Sequence, residues 1–86
     1  MALKFSPARV KAEVHSRRYL PRERRREVHV LLKDLPVEKE RYFADTPQGW
    51  IDARAHSDAQ RAAVIAAGID ISEVEFYCNV VLGAGL

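Results

Sequence analysis

Residues 73–82 read Glu73-Val74-Glu75-Phe76-Tyr77-Cys78-Asn79-Val80-Val81-Leu82, and whether they form a strand or a helix decides the fold. Val74, Phe76, Cys78, Val80 and Leu82 alternate with Glu73, Glu75, Tyr77, Asn79 and Val81, so a strand collects the apolar residues on one face. Ser72 and Glu75 have the spacing of a capping box, which argues for a helix instead. The clean period of two favours the strand.

Upstream, Ser57 has the chemistry of an N-cap, Asp58 supplies an acidic first turn and Gly68 stands where a helix commonly stops. A helix over residues 57–68 follows, and its Ala62, Ala63, Ala66 and Ala67 allow close approach to a sheet. Thr46-Pro47-Gln48-Gly49 has proline and glycine where a type I turn places them, predicting a hairpin between residues 41–44 and 50–55. In residues 27–33, Val28 and Val30 flank His29 as in a strand. A helix is the rival, because Val28, Leu31, Leu32 and Leu35 keep helical spacing between Pro21 and Pro36. At the start, Ser6 and Pro7 suit a cap and first turn, and Phe5 is placed to staple onto Val10. That favours a helix over residues 7–19, against the strand pattern of Val10, Ala12 and Val14. Residues 83–86 form a loose tail. The expected fold class is α+β: a small antiparallel sheet of about four strands, the 57–68 helix packed on one face, and an N-terminal helix.

The 86 residues suffice for one hydrophobic core, so 1–86 reads as a single domain, with 48% hydrophobic and 30% charged residues as in globular chains. No apolar run approaches the roughly 20 residues of a membrane span, and Met1 to Phe5 lack a signal-peptide core, which predicts a cytoplasmic protein without a membrane partner. The single cysteine, Cys78, has no partner for an internal disulfide or a thiolate zinc cluster, in keeping with a reducing compartment. A domain this small without such staples gains stability from a partner, which makes a homodimer one expected form.

The formal charge of +2 conceals a division. Residues 1–45 hold twelve Lys/Arg against seven Asp/Glu, and residues 46–86 hold two against five, giving a basic half and an acidic half. The basic excess peaks in residues 17–26, where Arg17, Arg18, Arg22, Arg24, Arg25 and Arg26 accompany Tyr19. Guanidinium groups offer phosphates planar paired donors and a tyrosine can stack on an unpaired base, so nucleic-acid binding is the expected function. The blander account is a solvated face in which Glu23 and Glu27 pair locally, and an acidic protein surface is a further candidate partner.

Residues 66–74 resemble a helix-turn-helix element, and residues 50–55 followed by a helix resemble the ribbon-helix-helix proteins. Glu73 and Glu75 would face phosphates in the first case and Asp52 would sit on the ribbon in the second, so neither family is assigned. His15, His29 and His56 lack metal-ligand spacing, and Asp45, Asp52, Asp58 and Asp70 do not cluster. Cys78 and His56 would need a tertiary coincidence to act as nucleophile and base. The chain is therefore expected to be no enzyme and to hold no metal or cofactor. Tyr77 and Val81, on the polar side of the last strand, are the expected residues of a protein-binding patch. Small size, the absence of an active site and the opposite charge of the two halves support the rival function of a small inhibitor or adaptor of the kind phages and mobile elements encode, CRISPR inhibitors among them.

Overall fold

Val10, Ala12 and Val14 are buried while the residues between them stay partly open, and this alternation makes Arg9–Ser16 a strand, β1. The computed structural model describes residues 8–82. After β1 come α1 (Arg22–Lys33), β2 (Glu40–Ala44), α2 (Pro47–Ala66), a 3-10 turn (Ile71–Glu73) and β3 (Val74–Val81). The strands form one antiparallel sheet in the order β2-β1-β3, so β1 is central and the other two are edges. Among the described residues the fold is α+β with three strands and two helices.

Both helices lie on one face of the sheet. Val14 of β1, Val74 of β3, Val28 and Leu32 of α1, Val64 of α2 and Leu20 from the first connection share one buried cluster. Burying each such side chain contributes about 2 kcal/mol. The opposite face carries Arg9, Lys11, Glu13 and His15 of β1, flanked in register by Tyr42 and Glu40 of β2 and by Glu75, Tyr77 and Asn79 of β3. Among the described residues no helix packs on that face.

The structure bears out the strand over β3 and corrects three expectations. Residues 9–16 are a strand, not part of a helix over 7–19, because pairing on both sides rewards the period of two; the Phe5, Ser6 and Pro7 signals lie outside the described residues, as does the 83–86 tail. Residues 27–33 are helical, because Val28 and Leu32, one turn apart, are both buried whereas Val30 is 56% exposed. Thr46-Pro47-Gln48-Gly49 opens a helix and not a hairpin: the Gly49 N–H donates to Thr46 Oγ1 at 3.0 Å and Pro47 occupies the first turn. Hence residues 50–55 are helical, the expected 57–68 helix is the second half of the 20-residue α2, and the sheet has three strands, not about four.

Two glycines are required by this arrangement. A Cβ on Gly49 would fall 1.7 Å from the Ala44 carbonyl oxygen, so glycine alone lets α2 start this close to the end of β2. Gly68, with φ of 79°, ends α2 in a left-handed turn: its N–H donates to the Ile65 carbonyl and that of Ile69 donates to Val64, a Schellman closure.

Candidate nucleic-acid interface

Folding divides the arginine-rich segment into two sets. Arg17, Tyr19 and Arg24 are turned toward the 3-10 turn and hold it. Arg17 Nε and Tyr19 Oη each donate to the Ser72 carbonyl at 3.0 Å. Arg24 makes a two-pronged contact with Glu73, Nε to Oε2 at 2.7 Å and Nη2 to Oε1 at 2.6 Å, while its Nη1 donates to Glu27 at 2.8 Å. The Glu73 bonds, and then that to Glu27, raise the Arg24 pKa further above its ordinary value, and the Arg24 bonds lower that of Glu73. Asp70 is lowered by the Ser72 hydroxyl and N–H, which both donate to its Oδ1. These contacts clamp α1 to the start of β3.

The second set faces solvent. Arg22, Arg25, Arg26, His29 and Lys33 recur at i, i+3, i+4, i+7 and i+11 and are all exposed, so α1 presents a basic stripe on the flank that borders Leu32, with which His29 and Lys33 share a depression. Arg18 extends it from the connection before the helix. Among the described residues none of Arg18, Arg22, Arg25 and Arg26 forms an ion pair. Arg22, Arg25 and Arg26 line one shallow depression with His29, Val30 and Ser16.

Arg18 and Arg25 also line a cleft of about 350 Å³ that crosses from α1 to the uncovered face of the sheet, where its walls are Glu13, His15, Ser16, Glu75 and Tyr77. The His15 and Tyr77 rings lie 5.7 Å apart at 38°. Glu13 receives Lys11 at 3.4 Å and His15 at 3.1 Å; burial raises its pKa, but the bonds from His15 and Lys11 prevail and leave it lowered. Lys11 also reaches Glu40 at 3.1 Å, the bond that most raises its own pKa.

Of the expected nucleic-acid residues, then, Arg18, Arg22, Arg25 and Arg26 gather on one surface, whereas Arg17, Tyr19 and Arg24 hold the fold. Tyr77 and Val81 separate: Tyr77 joins the arginine cleft, while Val81 sits opposite Arg9, four residues or about 13 Å along β3. His15 and His29, weighed in the sequence only as metal ligands, and Lys33 join this surface without having been expected there. The spacing of Arg22, Arg25, Arg26 and His29 is itself helical, and would have found His29 had residues 27–33 been read as a helix.

Elsewhere, His56 Nε2 lies 3.1 Å from the Gln60 amide nitrogen and Cys78 Sγ lies 3.6 Å from Ser57 Oγ, so each has its own neighbour. Among the described residues no group of three His, Cys, Asp or Glu side chains is placed to hold a metal ion, and no helix is long and apolar enough to cross a membrane. Compared with protein-family models, curated proteins and solved structures, the chain matches none of them.

Proposed function

We propose that the protein is a nucleic-acid-binding module that contacts phosphates through Arg18, Arg22, Arg25 and Arg26. One observation carries the proposal: these four arginines project from α1 and its approach without carboxylate partners among the described residues, while neighbouring Arg24 is fully engaged. An arginine stripe serving only solubility would have no need of alignment along one helix flank. Fluorescence anisotropy with labelled oligonucleotides tests it. Four phosphate contacts predict about a hundredfold loss of affinity between roughly 50 and 200 mM salt. Replacing Arg22, Arg25 and Arg26 together with Ala abolishes most of the binding and flattens the salt slope. No binding at low salt refutes the proposal.

A second reading, a protein-binding inhibitor or adaptor, draws on a different surface. Trp50 and Ile51 of α2 face Phe76 and Cys78 of β3 across an open groove, with Ile51 61% exposed. On that reading Ile51→Asp breaks a stoichiometric protein complex that salt leaves intact.

A further inference from the structure

We infer that the nucleic acid is single-stranded, and that one of its bases seats on Tyr77 and His15 at the uncovered face of the sheet. This rests on the phosphate-binding reading of α1 and adds to it the class of ligand. The cleft shared by Arg18, Arg25, His15, Tyr77, Glu13 and Glu75 brings together two kinds of chemistry. Guanidinium groups stand on one side and aromatic rings on the other. A strand that lays its phosphates along α1 therefore has its bases directed toward the sheet. Tyr77 and His15 are each only partly buried, which leaves ring surface open to the cleft. Base stacking on such rings requires a base free of its own duplex neighbours.

The carboxylates argue the same way. Glu13 is committed to Lys11 and His15, but Glu75 has no ion-pair partner among the described residues and stands on the sheet beside His15. A duplex pressed onto this surface would bring phosphates against Glu75. A single strand brings a base edge, and the exocyclic amino group of an adenine, cytosine or guanine donates to a carboxylate. The same group that repels a duplex thus accepts from an unpaired base. Phosphate charge and base faces are common to RNA and DNA, so the chemistry is shared by both.

Anisotropy with a labelled 12-nucleotide strand of mixed sequence, as RNA, as DNA and as the matching duplex, provides the test on the full chain at low salt. Either single strand binds at least tenfold more tightly than the duplex. Tyr77→Leu removes the ring and lowers single-strand affinity about tenfold, and Tyr77→Phe keeps it within twofold of wild type. Photocrosslinking of wild-type protein to a strand carrying 4-thiouridine avoids any effect of substitution on folding: adducts on Tyr77 or His15 support the inference, and adducts confined to α1 overturn it. Equal or tighter binding of the duplex, or an unchanged Tyr77→Leu affinity in a folded variant, overturns the seat on the sheet and leaves the arginine stripe standing. Binding of neither form refutes the phosphate-binding reading and this inference with it.

Discussion

Gly49 and Arg24 show how single residues govern this structure. Gly49→Ala forces a methyl group into the Ala44 carbonyl, a backbone obstacle that no rotamer change relieves, and should destabilise the protein by about 3 kcal/mol in urea melts. Arg24 and Glu73 make a prediction in pH. Glu73, Asp70 and Glu13 all titrate below their ordinary values, so over the acid range the unfolded chain binds protons that the folded chain does not. The resulting stability is fully present above pH 4.5, the ordinary value for Glu73, and is lost as pH falls through the lower folded value. Melting temperature followed from about pH 6 to about pH 3 should drop below that point, and Glu73→Gln should flatten the drop while lowering the plateau.

In α1 the residues that fill the core, Val28 and Leu32, differ from the arginines of the proposed interface. Leu32→Ala removes a buried side chain and is expected to cost about 3 kcal/mol of stability, read by urea denaturation, whereas Arg26→Ala leaves the melt unchanged and reduces the salt slope of nucleic-acid binding by about one. The same helix shows where sequence reading failed. Val28 and Val30 suit a strand by residue type, and only tertiary packing decides that Val28 enters the core and Val30 does not. Thr46-Pro47 is equally legible as a turn or as a cap with a first-turn proline, and the choice turned on whether Ala53, Gln60 and Val64 were recognised as one buried stripe. β3 was legible because its alternation runs through the whole strand. So was the existence of an arginine surface, but not its division: Arg24 differs from Arg25 and Arg26 only in what folding brings opposite it, a glutamate 49 positions along the chain.

For the whole molecule, the separation of a helix-covered face from an uncovered one sets what binding does to stability. A ligand that engages α1 and the sheet together binds only the folded chain, so single-stranded oligonucleotide at a hundred times its Kd should add about 2.7 kcal/mol and raise the melting temperature by about 15 °C. Calorimetry with and without the strand measures this, and a ligand held by α1 alone in a partly unfolded chain would give far less. The order of the strands has a consequence of another kind. β1 is the first strand and the middle one, and it pairs with segments that follow it in the chain, β2 after one helix and β3 after two. Among the described residues no two strands adjacent in sequence form a hairpin. During synthesis β1 must therefore wait with an unpaired edge until residues 74–81 leave the ribosome, and the protein reaches its native state only after translation has passed β3.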